Sequence, residues 1–180
     1  MFSIKVNSRT FEFPDEWLVM KYDDTPYYKK KFQGKTQGTS GLKPTMTGVD
    51  LIATNPLGNE CVMYLIESKD YRFHRRTKKK TPVAEFVEKV LDTLTGIIPT
   101  VLCSDSFING ENILREQLRV AQKLRLVYHF EQPANHSKLF PRAYDPADIQ
   151  SKIRDELRII DPLALVIDEK NQKKVPWNVE

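Results

Sequence analysis

The chain is short of cysteine and histidine and has no long hydrophobic stretch. Cys61 and Cys103 are the two cysteines among 180 residues. A disulfide scaffold needs more of them and an export signal, so two reduced, mostly buried thiols are expected. His74, His129 and His136 lack ligand spacing, and with two distant cysteines they build no zinc site. The longest apolar run is the segment Cys61 to Ile66, far below the ~20 residues of a membrane span. Met1-Phe2-Ser3-Ile4-Lys5 shows no basic segment followed by an apolar one, so no signal peptide is expected and the address implied is intracellular and cytoplasmic. Membrane-spanning, collagen-like, disulfide-stapled and wholly disordered classes are excluded. Two catalytic signatures are missing as well. There is no G-x-S-x-G, and Gly34-Lys35-Thr36 resembles the end of a phosphate loop but has Lys29 where the loop's first glycine belongs.

What is present suits one folded domain. The AVILMFWYC set makes up 40% of the residues, enough for a core without staples. Charged residues stand at 29%, with 28 Lys+Arg against 24 Asp+Glu and a formal charge of +4. We expect a single domain over 1–180, with its core at about 45–168 and an N-terminal extension at 1–44.

Patterning gives the elements. Phe2 to Phe13 alternates weakly and suggests a strand or hairpin. Pro14 suits the start of a short helix carrying Glu16, Trp17, Leu18 and Met20. Tyr22 to Pro44, with three glycines and the run Lys29-Lys30-Lys31, reads as a long connection. Gly48 to Ala53 and Cys61 to Ile66 are strand candidates around the turn Asn55-Pro56-Leu57-Gly58-Asn59, a β-hairpin. The second strand is apolar on both faces until Glu67, as in the middle of a covered sheet. Thr81 caps a helix opened by Pro82, with Val83, Phe86, Val87, Val90, Leu91 and Leu94 as its apolar stripe. A second helix is expected from Glu111 to about Lys123, a strand over Leu124 to Glu131, a third helix from Asp145-Pro146, and a last strand at Leu163 to Ile167. A strand block followed by helix–strand alternation predicts an α/β or α+β fold around a central mixed β-sheet flanked by helices.

Asp50, Glu67 and Lys69 are not explained by apolar patterning. A hairpin turning at Leu57–Gly58 sets Asp50 opposite residues 65–67, and opposed Cβ atoms lie roughly 4.5–5.5 Å apart. The two carboxylates then repel unless a cation or a proton intervenes. Lys69, two residues beyond Glu67, shares its face. Paired carboxylates suit a hard divalent cation, Mg²⁺ or Mn²⁺, with the Ser68 carbonyl as a further oxygen ligand. An ammonium beside such an ion can orient a water or balance charge on a phosphorane-like transition state.

Gly48-Val49-Asp50, the turn, and Leu65-Ile66-Glu67-Ser68-Lys69 resemble the PD-(D/E)xK nuclease superfamily, closely over about 45–100 and loosely beyond. The resemblance implies a restriction-endonuclease-like fold, metal binding by Asp50 and Glu67, and a catalytic role for Lys69. Val49 replaces the proline of the family's name. The Q-x-x-x-Y motif of the RecB-like branch is absent after Lys69. An acidic residue on the first helix often completes such sites; Glu12 or Glu16 could serve.

Arg72, Arg75, Arg76, Lys78, Lys79 and Lys80 follow at once, with Tyr71, Phe73 and His74 interleaved. A basic loop beside the acidic pair can contact phosphates, and its aromatics can stack on bases. Lys29, Lys30 and Lys31 form a second candidate contact. The expectation is a metal-dependent nuclease acting on nucleic acid, DNA first and RNA second, with no membrane partner, as a homodimer or a subunit of a larger complex. The alternatives are a non-catalytic nucleic-acid-binding or scaffold subunit that keeps the fold, and an interaction protein whose acidic residues merely pair with neighbouring bases.

Overall fold

In the computed structural model, the structure describes residues 1–29, 46–55, 60–73, 76–102, 112–133 and 144–180. The strands are β1 (Phe2–Val6), β2 (Arg9–Phe13), β3 (Leu18–Lys21), β4 (Leu51–Asn55), β5 (Val62–Asp70), β6 (Lys123–Glu131), β7 (Leu165–Ile167) and β8 (Asn178–Val179). The helices are α1 (Pro82–Leu102), α2 (Asn112–Val120) and α3 (Pro146–Glu156). The fold is α+β, built on a five-stranded sheet ordered β3-β4-β5-β6-β7 and a three-stranded sheet ordered β1-β2-β8. Strands β3, β4 and β5 run antiparallel, whereas β6 and β7 continue parallel to β5. The sheet is therefore mixed, as the alternation after β5 requires.

Each face of the large sheet is covered. Ile52, Met63, Leu65, Leu126 and Tyr128 point to the helices, where Phe86, Val90, Ile97, Ile149 and Ile153 meet them. Phe86 stacks on Tyr128 with ring centroids 4.8 Å apart. Leu51, Ala53, Ile66 and Val127 point the other way, into an aromatic layer of Phe11 and Phe13 from the small sheet with Trp17 and Trp177. Period-two alternation sorts the side chains, so consecutive residues of β5 serve different cores. Among the described residues no helix is long and apolar enough to cross a membrane.

The expected helix boundaries largely agree with the structure. Thr81 Oγ1 accepts the Ala84 N–H at 3.1 Å, capping α1, and Asp145 accepts the Ala147 N–H at 3.0 Å, capping α3. Two readings are corrected. Pro14 opens no helix: a turn at 15–16 leads into β3, which pairs with β4. Trp17 wedges between Phe13, Tyr64 and Trp177, and the β4 edge offers Leu18–Lys21 ladder partners that a helix would forgo. The connection from Tyr22 is not structureless, because Tyr22–Asp24 forms a 3-10 turn and Tyr22, Tyr27 and Tyr28 are core residues. Cys61 is a free, half-buried thiol, whereas Cys103 lies outside the described residues.

Candidate active site

Strand register brings the first two residues together. Leu51 pairs with Ile66, and one step further sets Asp50 level with Glu67, on the α1 face with Ile52 and Leu65. Asp50 is held by its surroundings. Its Oδ2 accepts the Ser68 N–H at 2.8 Å, and its backbone carbonyl accepts the Tyr22 N–H at 2.9 Å. The segment before it is fastened to α1 and the tyrosines. Thr93 Oγ1 accepts the Val49 N–H at 2.9 Å, the Tyr28 hydroxyl accepts the Gly48 N–H at 3.0 Å, and Asp92 Oδ2 accepts the Thr47 N–H at 2.8 Å. A Cβ on Gly48 would lie 2.8 Å from the Tyr22 ring, so only glycine lets the chain pass there.

Glu67 and Lys69 follow on β5. Glu67 is 1% exposed. Its Oε1 lies 2.5 Å from Lys69 Nζ, and Lys89 Nζ from α1 stands 2.8 Å from Oε1 and 2.9 Å from Oε2. Lys89 Nζ is also 3.6 Å from Asp50 Oδ1. The structure thus gathers Asp50, Glu67 and Lys69 into one cluster and adds Lys89.

A further acid lies within electrostatic reach. Asp23, in the 3-10 turn after β3, interacts electrostatically with Asp50, and its Oδ1 is buried with no hydrogen-bond partner. Glu12 instead pairs with Asn178 in the small sheet, and Glu16 sits exposed in the turn before β3. Sequence reasoning missed Asp23 because the helix assigned to Glu16–Met20 hid a strand ending beside Asp50. Lys89 had a signal: it stands three residues after Phe86 and one before Val90, a lysine among inward positions.

The electrostatics follow from burial and crowding. Burial, then the nearby Asp50 charge, pushes the Glu67 carboxyl above its ordinary value. Burial and Asp50 likewise raise Asp23 to about 6. For Lys69, burial opposes the charge, but Glu67 and Asp50 outweigh it and hold the ammonium above the usual lysine range.

A hard cation suits this donor set: two carboxylates side by side, a third with a bare buried oxygen, and only ammonium ions on Glu67. Among the described residues, no three His, Cys, Asp or Glu side chains already converge as a ready metal cage. Two carboxylates with water and substrate oxygens are the usual Mg²⁺ arrangement. The Ser68 carbonyl faces the Asn7 side-chain amide at a long 3.4 Å.

The basic loop is mostly engaged within the molecule. Arg72 binds Asp70 at 2.7 Å and also contacts Glu169, Arg76 and Lys78 both bind Glu85, Lys80 meets Glu88, and Lys29 meets Asp24 at 2.7 Å. Lys79 is exposed. Arg75, Lys30 and Lys31 lie outside the described residues, as does His74. Tyr71 packs on Phe130, whereas Phe73 is 68% exposed with the Arg72 guanidinium over its ring at 5.4 Å.

No family model matches the chain, and no solved structure does. A Cysteine--tRNA ligase of Neisseria meningitidis serogroup A / serotype 4A (strain DSM 15465 / Z2491) is 25% identical to it over 219 aligned residues. That match covers 99% of this chain but 30% of the ligase. The chain therefore spans less than a third of its relative's length.

Proposed function

We propose that the chain is a metal-dependent nuclease of the PD-(D/E)xK type, hydrolysing phosphodiester bonds of nucleic acid, DNA first. The observation that carries this is the convergence of Asp50, Glu67 and Lys69 on the α1 face at one end of the central strands. An antiparallel β3-β4-β5 meander followed by a helix and a parallel strand supports the restriction-endonuclease-like reading. Mg²⁺ or Mn²⁺ would be held by Asp50 and Glu67, with Asp23 the nearest further acid. When bound, such an ion polarises a phosphoryl oxygen and acidifies a water. Lys69, charged and 19% exposed, orients the attacking water and offsets negative charge growing on the phosphorus oxygens. The exposed rim, Lys79 and Phe73, meets backbone and bases.

One observation favours a non-catalytic nucleic-acid-binding or scaffold subunit instead: both lysines already neutralise Glu67. Labelled DNA and RNA panels with Mg²⁺, Mn²⁺ or EDTA separate the two readings. RNA belongs in the panel because the partial relative is a tRNA ligase. Metal-dependent cleavage that Glu67→Ala and Lys69→Ala abolish supports the nuclease. Salt-sensitive binding without cleavage supports the subunit, and cleavage unchanged in both variants refutes the site.

A further inference from the structure

The two lysines at Glu67 are not equivalent. Lys69 comes from the same strand, two residues on, and touches only the Glu67 carboxylate among the site's acids. Lys89 reaches in from α1, bridges both oxygens of Glu67, and also faces Asp50 Oδ1 at 3.6 Å. Its side chain is 13% exposed, with the ammonium set between the two carboxylates. That is the place a divalent ion held by the pair must take. Two cations cannot share it, because their repulsion at contact distance in a buried site is large. An ammonium on a flexible four-carbon stem, unlike a guanidinium fork, can leave without dismantling the strand geometry.

We propose that Lys89 is a resident counter-cation that clasps Asp50 and Glu67 in the metal-free protein, is displaced when a divalent ion binds, and then offers its ammonium to a phosphate oxygen of the nucleic acid. This rests on the nuclease reading. Metal loading is then an exchange of one cation for another. The displaced ammonium also couples metal to substrate, each tightening the other by the same factor.

Mn²⁺ binding, followed by the resonance signal of the free ion, tests this in the parent, in Lys89→Met and in Glu67→Gln. With the competitor removed, Lys89→Met binds Mn²⁺ tighter, by about tenfold for a coupling of ordinary size. Glu67→Gln loses the site. Without metal, Lys89→Met melts below the parent, since two buried carboxylates lack their clasp, and Mn²⁺ restores the loss. Should Lys89→Met fold poorly, Lys89→Gln removes the charge while keeping an amide donor and is read in the same way. Equal or weaker Mn²⁺ binding in the Lys89 variants, with Glu67→Gln still defective, overturns the exchange and leaves the nuclease standing. If Mn²⁺ binds none of the proteins, or Glu67→Gln binds as the parent does, the exchange and the nuclease reading fall together.

Discussion

Two charge clusters flank the end of β5, one on each face. On the helix side Asp50 and Glu67 meet Lys69 and Lys89, with Asp23 in electrostatic reach of Asp50. On the side of the small sheet Asp70, Glu131 and Glu169 meet Arg9 and Arg72. Each sets three carboxylates against two cations, so charge balance does not separate them. Side-chain chemistry does. Arg72 forks onto both oxygens of Asp70, at 3.0 Å through Nε and 2.7 Å through Nη2. Arg9, 3% exposed, ties β2 to Glu131 on β6 and to Glu169 after β7. Planar guanidinium forks hold fixed geometry, whereas lysines are mobile point charges. The arginine side rivets two sheets together, and the lysine side is built so that its cations can be exchanged.

The comparison breaks if the two clusters respond alike. Glu67→Gln and Lys69→Met should each lower metal-dependent cleavage by at least about 10²-fold, the scale of losing a positioned acid–base or charge-stabilising group. The Glu67→Gln melt should stay near the parent's, because this change removes a charge that burial already disfavours. Arg9→Met should do the reverse. It removes the tie from β2 to Glu131 and Glu169 and should lower stability clearly, while cleavage per folded molecule persists. Paired activity assays and denaturant melts read both. An active Glu67→Gln, or an Arg9→Met as stable as the parent, erases the distinction.

The lysine side was partly legible in the sequence because carboxylates in apolar strands violate the pattern around them. Asp50, Glu67 and Lys69 announced themselves in this way, and hairpin arithmetic set their register. Asp23 did not, since it belongs to a short turn whose placement depends on β3 pairing with β4, a contact that local patterning at Leu18–Lys21 leaves ambiguous with a helix. The arginine side was invisible. Arg9, Glu131 and Glu169 are far apart in the chain, and only the packing of one sheet on the other makes them neighbours. The basic loop was legible in charge but not in partner: nothing in its composition says that Arg76 and Lys78 close on Glu85.

A smaller effect sharpens the same contrast through pH. Burial pushes Glu131 up to about 7 from the usual 4.5, with Arg9 only partly opposing. The folded state then holds a proton that the unfolded chain has released, so this group's contribution to stability falls as pH rises from about 4.5 to about 7. His129, buried against Trp177, is held down to about 3 by burial and Arg9. Its contribution runs the other way, lost as pH falls from 6.5 towards 3. Between pH 4.5 and 6.5 the two oppose each other. Glu131→Gln should therefore shift the pH dependence of the melting temperature, relative to the parent, towards a rise with pH across that window. An unchanged pH profile would show that Glu131 titrates normally.

The smallest expected change distinguishes two basic residues three positions apart. Arg76 and Glu85 are each 8% exposed in their side chains and 2.8 Å apart, so the pair is interior, and removing Arg76 leaves Glu85 in need of Lys78 alone. Arg76→Ala should lower the melting temperature more than it alters nucleic-acid affinity. Lys79 is exposed on the same loop, where a cation stabilises the fold little and is placed for phosphate. Lys79→Ala should leave the melt unchanged and weaken binding modestly and uniformly across sequences, with the slope of log affinity against log salt shallower by about one. Salt titrations of DNA binding by the two variants read the difference. If Arg76→Ala also shortens the salt slope while its melt stays intact, the Glu85 pair is loose enough to yield to phosphate, and the contact surface extends inward from the rim to the site itself.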